Sequence, residues 1–433
     1  MIPQQQKPRI GLILPGGGAR AAYHVGVLKA VAELLPRRAP NPFPVISGTS
    51  AGAINAAVLA SRALHFRAGV AEMEQVWANF AASQVYRADA WTMLGSSAHW
   101  FFTVVLGGFG IRKPRSLLDN APLRELLARR IRFRDIQRAI DRRHLEALAI
   151  TASGYSSARS ITFFQGREGL EPWTRVRRRG QRAGITLDHL MASVAVPFIF
   201  PPACVDGEYY GDGALRQSTP LSSAIHLGAE RLLVIGVRDE TSNPTPDPDN
   251  PAPFPSLGQI AGYMLDTLFM DGLYTDLERI TRINMLIEQV PPGRASGPVA
   301  KLKRIDTLLV VPSRDIRSIA RRHVHELPLP VRALLHGIGA MNQGGLQLVS
   351  YLLFESGFTR ELIQLGYRDA WAIADRLRPF LAGQGVPTLT APHWVARDLS
   401  GQEKRPETEE GHEADDVGHG RQYHGAGQRG VDP

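Results

Sequence analysis

The sequence contains a single cysteine, Cys204. One cysteine excludes an intramolecular disulfide and any metal site built from several thiolates. Long apolar runs are also missing, because none approaches the ~20 residues that span a bilayer. The start, MIPQQQKPRIGLIL, lacks the apolar core and small-residue cleavage site of a signal peptide. From these absences we expect a reduced, cytoplasmic protein.

The composition is that of a globular protein, but its charge is unevenly placed. The 433 residues are 44% hydrophobic and 21% charged, and the net charge is +9. Residues 112–182 hold 18 Arg and Lys against 7 Asp and Glu, a larger surplus than that of the whole chain. Such a stretch fits nucleic acid, an anionic membrane surface, or a solvated face with no specific partner. Composition therefore leaves the partner open.

The order of the apolar runs predicts an α/β fold. Helices are expected at 19–35, at 51–60 and in the stretches between later strands. Strands that alternate with helices predict a central, mostly parallel sheet covered by helices on both faces. The expected strands are residues 9–15, 45–48, 145–153, 231–237 and 305–311.

Two changes in composition divide the chain. Residues 239–255 hold six prolines and four acidic residues and predict an exposed loop. The chain beyond this loop reads as mainly helical, and residues 399–433 are almost without apolar side chains, which predicts a disordered tail. We therefore expect a first domain at 9–228, a mainly helical C-terminal extension at 229–395, and the tail.

The sharpest local pattern is Gly48-Thr49-Ser50-Ala51-Gly52, a G-x-S-x-G between a predicted strand and a predicted helix. In a nucleophile elbow this pattern holds a serine hydroxyl on a tight turn, and the glycines let neighbouring backbone pass closely. The positive end of the helix that begins at Ala51 favours an attacking oxygen. The pattern makes Ser50 a candidate nucleophile. The alternative is an ordinary turn of small residues, which can have the same sequence.

A run of glycines, Gly16-Gly17-Gly18-Ala19-Arg20, follows the first predicted strand. Consecutive glycines present backbone N–H groups that bind an anion, either a nucleotide phosphate or the oxyanion of an acyl transfer. Nucleotide binding is poorly supported, because no G-x-x-x-x-G-K-[ST] occurs and Ala21 replaces the last glycine of G-x-G-x-x-G. The oxyanion alternative has a candidate nucleophile, Ser50, directly after the next strand.

A serine nucleophile needs a base, and the sequence offers two kinds. Asp212 lies between two glycines, a position that is by itself typical of a turn. The usual base is a histidine oriented by a carboxylate. The candidates that lie downstream of Asp212 are His226, His323, His325 and His336, and none of these four is in a glycine-flanked loop after a convincing strand. The base is therefore a histidine, or an aspartate that acts directly on the serine.

Together the three patterns resemble the patatin-like phospholipases. That family combines a G-G-G-x-R oxyanion loop, a G-x-S-x-G elbow and a D-G-[GA] aspartate, and the same blocks occur here in that order. Residues 192–202 (ASVAVPFIFPP) resemble the block that precedes the family's aspartate. The resemblance covers residues 9–228. Two departures are Ala21, where the family loop often has glycine, and Ala214 at the end of the aspartate motif.

The resemblance implies a lipid acyl hydrolase that works through a Ser–Asp dyad without histidine. Ser50 is then expected to attack the ester carbonyl, and Asp212 to accept its proton and later to activate water. Backbone N–H groups of the loop Gly16–Gly18, with that of Ala51, are expected to hold the oxyanion. This chemistry requires no metal and no organic cofactor.

Further residues take supporting roles in the same resemblance. Arg20 is expected either to orient the glycine loop or to meet a lipid phosphate, two alternatives that the sequence leaves open. The supporting backbone positions are Gly48, Gly52 and Gly213.

A lipid ester substrate agrees with the basic composition, and no nucleic-acid-binding signature appears. Residues 100–109 (WFFTVVLGGF) are apolar and lie beside the basic stretch. We expect residues 100–115 to form a lid, a membrane contact or core, and our hypothesis is that they help to dock the chain peripherally on an anionic bilayer. A catalytically silent lipid-binding scaffold and a histidine-dependent α/β-hydrolase esterase are the alternatives. Oligomeric state cannot be predicted from these patterns.

Overall fold

The computed structural model describes residues 8–87, 116–239, 254–291, 302–342 and 344–384. The predicted lid or membrane segment at 100–115 and the predicted tail at 399–433 lie outside the described residues, as does most of the predicted loop at 239–255.

Ten strands form one mixed sheet. They are β1 (Ile10–Leu14), β2 (Val45–Thr49), β3 (Ala147–Gly154), β4 (Ser160–Gly166), β5 (Trp173–Thr174), β6 (Arg178–Arg182), β7 (Ala203–Val205), β8 (Glu208–Asp212), β9 (Arg231–Ile235) and β10 (Asp306–Val310). The strand order is β10-β9-β1-β2-β3-β4-β6-β5, and β8 pairs with β3 and β7. The pairs from β10 to β3 are all parallel, whereas β4, β8 and β5 join their neighbours β3 and β6 in antiparallel fashion.

Helices flank the sheet. Those before residue 229 are α1 (Ala22–Leu34), α2 (Ala51–Ser61), α3 (Phe66–Ala78), α4 (Ala121–Arg130), α5 (Phe133–Asp141), α6 (Leu187–Ser193) and α7 (Ser222–His226). Those after it are α8 (Leu257–Asp266), α9 (Gly272–Gln289), α10 (Ile316–His323), α11 (Leu329–Gly337), α12 (Leu346–Leu352), α13 (Ser356–Ala372) and α14 (Ala374–Leu381). No helix in the described part of the chain is both long and apolar enough to cross a bilayer.

The central strands are buried because they carry apolar runs rather than an alternating pattern. Every residue of β1 (IGLIL) and β2 (VISGT) is buried, so helices cover both faces of the sheet there. The predicted α/β fold with a mostly parallel central sheet and a mainly helical C-terminal region is therefore confirmed.

The prediction of helices between residues 153 and 231 is wrong for most of that stretch. It contains the strands β4 to β8, and only α6 and α7 are helical. A signal for β4 was present, because Ile161, Thr162 and Phe163 are β-branched or aromatic. The strand β6 (RRGQR) shows no such signal, since it lies near the edge of the sheet, where charged side chains reach water. The predicted helix at 19–35 begins as a 3₁₀ turn, Gly18–Ala21.

Residues after 228 continue the same sheet. β9 lies parallel beside β1, and β10 lies parallel beside β9. The helix α13 packs closely on α1, because a Cβ at Gly26 would come within 2.0 Å of the Ile363 carbonyl oxygen. The Tyr23 hydroxyl donates a hydrogen bond to Asp369 at 2.9 Å. The helix that follows the glycine loop is thus held by the C-terminal part of the chain.

Candidate active site

Ser50 lies on a strained turn between β2 and α2. Its backbone has φ 53° and ψ −130°, a left-handed φ that a serine rarely adopts. Its backbone N–H donates a hydrogen bond to Ser193 Oγ at 2.9 Å, and that hydroxyl donates to the Thr151 carbonyl at 2.7 Å. Ser193 therefore stabilises the turn that a nucleophile elbow requires.

The glycines of the pattern allow two segments of backbone to approach each other. A Cβ at Gly52 would come within 2.0 Å of the Leu14 carbonyl oxygen, and one at Gly48 within 2.4 Å of the Gly52 carbonyl oxygen. Any side chain at either position would push α2 away from the ends of β1 and β2. Both glycines of the G-x-S-x-G pattern are thus required by close backbone contacts of the turn.

Asp212 ends β8 and caps the short 3₁₀ turn that follows. Its Oδ1 accepts a hydrogen bond from the Ala214 N–H at 2.9 Å, and its own N–H donates to the Ala195 carbonyl at 2.7 Å. Gly213 passes close to the neighbouring strand, since a Cβ there would come within 2.2 Å of the Thr151 carbonyl oxygen. The aspartate is therefore fixed from both sides of its backbone.

The carboxyl of Asp212 lies beside the Ser50 side chain in a buried place. Burial raises the pKa of Asp212 to about 7, although a hydrogen bond from Ser50 and the Ala214 N–H act in the opposite direction. Asp212 Oδ2 is buried and forms no well-aligned hydrogen bond within the described ranges. The residue thus has a free oxygen next to the serine hydroxyl and a pKa near neutrality.

The glycine loop packs against Ser50. A Cβ at Gly16 would come within 3.0 Å of the Ser50 Cβ and within 2.3 Å of the Phe269 ring, and one at Gly17 would meet Val237. Gly18 has φ +53°, and a Cβ there would come within 2.3 Å of the Tyr351 carbonyl oxygen. Only glycine fits at Gly18 on both grounds.

The side chain of Arg20 is buried among residues of the C-terminal part of the chain. Its guanidinium is 3% exposed and forms an ion pair with Asp266 at 2.9 Å. It also donates a hydrogen bond to Ser350 Oγ at 2.8 Å. Of the two expected roles, this placement agrees with orienting the loop, because a buried and paired guanidinium does not reach a lipid phosphate.

A large apolar cavity begins at Ser50 and runs along α2. It leaves about 1010 Å³ of unfilled space, including its open mouth. Ala51, Ile54, Asn55 and Val58 line it at the spacing of one helix face. In this otherwise buried helix, Ile54 and Val58 are the two residues that stay partly exposed, since they face the empty space. The opposite wall includes Met73, Trp77, Phe80, Leu127, Phe269 and Phe354.

The polar atoms of Asn55 do not make this cavity polar. Its Nδ2 donates to the Ala21 carbonyl at 3.1 Å, and its Oδ1 accepts from the Trp77 indole N–H at 2.9 Å. The wall is therefore suited to an aliphatic chain, and it ends at a nucleophile candidate.

A sequence model of the patatin-like phospholipases matches residues 12–225, the part of the chain that contains the elbow, the glycine loop and Asp212. The chain belongs to this family through those residues. Membership in the patatin-like phospholipases supports lipid acyl hydrolase activity in general.

Two solved structures are similar to this patatin-like chain. VipD from Legionella pneumophila has a TM-score of 0.32 and 11% identity over 86% of this chain and 67% of its own. ExoU from Pseudomonas aeruginosa, solved in complex with SpcU, has a TM-score of 0.25 and 16% identity over 80% of this chain and 77% of its own. A search of curated proteins gave no match.

No histidine of the described ranges hydrogen-bonds to Ser50 or Asp212. His226 stacks on Trp173 with ring centroids 4.7 Å apart and bonds to Ser222 within α7. His323 contacts Glu326 and Glu361. Within the same ranges no three metal-ligating side chains lie together. Within those ranges the carboxyl beside Ser50 is that of Asp212.

Three residues that contact the site were not predicted from the sequence. Ser193 lies in the quoted block 192–202 and holds the elbow, but its role depends on a contact with Ser50. Phe269 and Tyr351 pack on the glycine loop from the C-terminal part of the chain. No local pattern marks either of them.

Proposed function

We propose that the chain hydrolyses carboxylic esters of lipids, phospholipids among them, through a Ser50–Asp212 dyad and an acyl-enzyme. This proposal rests on the surroundings of the two residues. Ser50 stands on a strained elbow beside a buried carboxyl with an unpaired oxygen, at the end of an apolar cavity.

The first half of the reaction forms the acyl-enzyme. Ser50 Oγ bonds to the ester carbonyl carbon as its proton passes to Asp212 Oδ2. The carbon–oxygen bond to the leaving alcohol then breaks, and the alcohol takes that proton. Because a general base works best with a pKa near the working pH, a pKa of about 7 suits Asp212 for both transfers.

The second half returns the enzyme to its starting state. Water attacks the acyl carbon and gives a proton to Asp212, and the fatty acid leaves as Ser50 Oγ takes that proton back. The bond between Ser50 Oγ and the acyl carbon forms in the first half and is broken in the second, and neither half changes an oxidation state.

The oxyanion is held by backbone donors. The N–H of Ala51 lies in the first turn of α2, where helix geometry provides no intrahelical acceptor. The N–H groups of Gly17 and Gly18 are the second source, on the loop whose Gly16 touches Ser50. The Ser50 N–H is bonded to Ser193 and serves the turn instead. One such donor contributes about 2.7–4 kcal/mol to catalysis.

The cavity along α2 takes the acyl chain of the substrate. With ~1.5 Å of rise per residue, the wall from Ser50 to Val58 is roughly 12 Å long. Each methylene of the acyl chain that the cavity removes from water stabilises the complex by about 0.8 kcal/mol. The preferred substrate is therefore an ester of an aliphatic acid rather than of acetate.

A lipid surface is the proposed partner, and the docking is peripheral. On α8, Leu257, Ile260 and Met264 recur at helical spacing and are exposed. The far end of the same helix reaches the cavity through Leu265. Together with the net charge of +9, this face suits an anionic bilayer that delivers lipid to the cavity. The cytoplasmic location expected from the sequence remains part of this proposal.

Vesicle co-sedimentation tests the partner. Wild type is expected to bind vesicles that contain anionic lipid and to be released by high salt. Leu257→Ser and Met264→Ser weaken binding, whereas Val176→Ser is the matched control, because Val176 is 92% exposed and lies between β5 and β6 rather than on α8. Binding that ignores anionic lipid and salt contradicts the proposed surface.

Fatty acid release tests the activity itself. Purified wild type is incubated with phospholipid vesicles and with soluble p-nitrophenyl esters, and Ser50→Ala is assayed beside it. We expect release of fatty acid and of p-nitrophenol by wild type alone. Vesicle binding without either product would favour the silent scaffold.

A further inference from the structure

Residues from outside the family match pack on the glycine loop of the proposed oxyanion hole. Gly16 packs under the Phe269 ring, and Gly18 packs on the Tyr351 backbone. Both partners lie beyond residue 225, where the family match ends. Part of what fixes the position of the loop therefore lies outside the matched residues.

Arg20 is the strongest of these connections. Its Nη1 lies 2.9 Å from Asp266 Oδ1 and 3.2 Å from the Tyr351 hydroxyl. Its Nε donates to Ser350 Oγ at 2.8 Å, and its Cζ lies 4.0 Å from the centre of the Tyr351 ring. The guanidinium is thus fixed by charge, by hydrogen bonds and by an aromatic face.

Asp266 connects the other members of the cluster. Its Oδ1 also accepts a hydrogen bond from the Tyr351 hydroxyl at 2.8 Å, and its Oδ2 lies 3.2 Å from Arg238 Nε. Burial is the largest single influence on the pKa of Asp266 and raises it, but the charges of Arg20 and Arg238 and hydrogen bonds from Gln347 and Tyr351 together lower the pKa overall. The carboxylate is therefore ionised and stabilised between two guanidinium groups.

The chain places this cluster next to the reacting atoms. Asp266 ends α8, and the next five residues, Thr267–Asp271, form a π turn that carries Phe269 over Gly16. The Phe269 ring also lies 5.3 Å from the Tyr351 ring and lines the cavity beside Ser50. A shift of Asp266 would thus displace the glycine loop through both Arg20 and Phe269.

We propose that Asp266 and Tyr351 are positioning residues that hold the loop Gly16–Gly18 in its oxyanion-binding conformation. The C-terminal extension is then part of the catalytic apparatus, because it supplies both residues. Glycine-rich backbone has little conformational preference of its own, and donors must be held within about 0.5 Å of their productive place. This inference rests on the proposed function, since it assigns the extension a role in that same site.

Asp266→Asn and Tyr351→Phe are the test variants. Asp266→Asn keeps the shape and removes the charge that Arg20 pairs with. Tyr351→Phe keeps the ring and removes one hydroxyl, so it serves if Asp266→Asn fails to fold. Asp266 does not line the cavity, and Tyr351→Phe keeps the ring that lines it and removes only the hydroxyl that bonds to Asp266. The expected defect of both variants is therefore in turnover rather than in binding.

Asp306→Asn is the matched control. Asp306 pairs with Arg231 at 3.5 Å and with Arg304 at 3.0 Å. The side chains of Arg231 and Asp306 are 9% and 11% exposed, against 3% and 6% for Arg20 and Asp266. Asp306 lies in register with Arg231, which pairs with Ile10 at the start of β1, whereas the glycine loop follows the other end of that strand. The control therefore removes a buried ion pair from the extension at the opposite end of the sheet.

The measurement is kcat and KM on a soluble p-nitrophenyl ester, with kcat expressed per Ser50 that a fluorophosphonate labels. This normalisation removes any loss that comes from unfolded chains. For Asp266→Asn we expect kcat to fall about tenfold to a hundredfold, the size of a small misplacement in an active site, with KM within about twofold. For Tyr351→Phe the expected fall is about threefold to tenfold. Asp306→Asn should retain the wild-type kcat.

Two different failures can be told apart. If wild type neither hydrolyses the ester nor labels on Ser50, the proposed function itself is wrong. If wild type does both, and the kcat per labelled Ser50 of Asp266→Asn and Tyr351→Phe equals that of Asp306→Asn, the extension does not position the loop. A loss that follows the melting temperature in all three variants also contradicts the inference, because it indicates stability alone.

Discussion

Ser50 and Asp212 lie next to each other along the same edge of strand β3. Thr49, the residue before Ser50, pairs with Thr151, and Asp212 pairs with the next residue, Ala152. The strand β4 pairs along the whole of β3 from residue 147 to 153, so β2 and β8 must share the opposite edge. One strand ends there and the other arrives from the opposite direction, which brings the two side chains together although 162 positions separate them in the sequence.

Removing either member of this pair should abolish hydrolysis without unfolding the chain. Ser50→Ala removes the nucleophile, and Asp212→Asn removes the base while keeping its shape. In a well-studied serine protease, loss of a member of the catalytic set lowers kcat by about 10⁴-fold or more, and we expect a similar loss here. Ester hydrolysis and circular dichroism of the three proteins check this.

His226→Asn is the control for the base. His226 follows Asp212 in the sequence but contacts Trp173 and Ser222 instead. It should keep wild-type turnover. Near-normal turnover by Asp212→Asn, or a large loss in His226→Asn, contradicts the dyad.

The rate should depend on pH through Asp212. Its carboxyl must be ionised to accept the serine proton, and burial raises its pKa to about 7. We therefore expect kcat/KM to rise tenfold per pH unit below pH 7 and to reach half of its plateau near pH 7. A profile that stays flat down to pH 5 would mean that the base is another group.

The same carboxyl should make the folded chain less stable at high pH. Its pKa in the folded state is raised from 3.8 to about 7, so the native state holds the proton more tightly than the unfolded state. The stability that this proton contributes is complete below about pH 4 and is lost as the pH rises through 7. Asp212→Asn lacks this loss.

Thermal unfolding at two pH values measures the effect. The melting temperature of Asp212→Asn minus that of wild type should be larger at pH 8 than at pH 4. Equal differences at both pH values contradict the raised pKa.

Val58 should set the length of the acyl chain. It lies on the cavity face of α2, two turns beyond Ser50. Val58→Phe fills that end of the cavity, and overpacking of this kind typically costs about 1–3 kcal/mol. We expect kcat/KM for a p-nitrophenyl palmitate to fall about tenfold while that for the acetate stays unchanged. Val176→Phe, at a surface position, should change neither value.

The sequence predicted those parts of the site that depend on local turns. The elbow at Ser50, the glycine loop and the Asp212 turn each need small residues at fixed spacing, because backbone passes too closely for a side chain. Such requirements restrict the residue types at a few consecutive positions, so they can be recognised in the sequence. The order of the apolar runs likewise predicted the central strands, since both faces of these strands are covered.

Other parts depend on contacts between distant residues and left no local signature. Arg20 and Asp266 are 246 positions apart, and nothing in the sequence around either indicates the other. The cavity wall draws on several helices, so its length could not be predicted. The strand β6 is polar because it lies near the edge of the sheet, and a polar run does not suggest a strand.

The central claim is that Ser50 is an activated nucleophile. Labelling of wild type, Ser50→Ala and Asp212→Asn with a fluorophosphonate, with and without anionic vesicles, tests it most directly when the adduct is located by mass spectrometry. The account predicts an adduct on Ser50 of wild type, none in Ser50→Ala, and much slower labelling of Asp212→Asn. A well-folded wild type that forms no adduct on Ser50, even with vesicles, would contradict it.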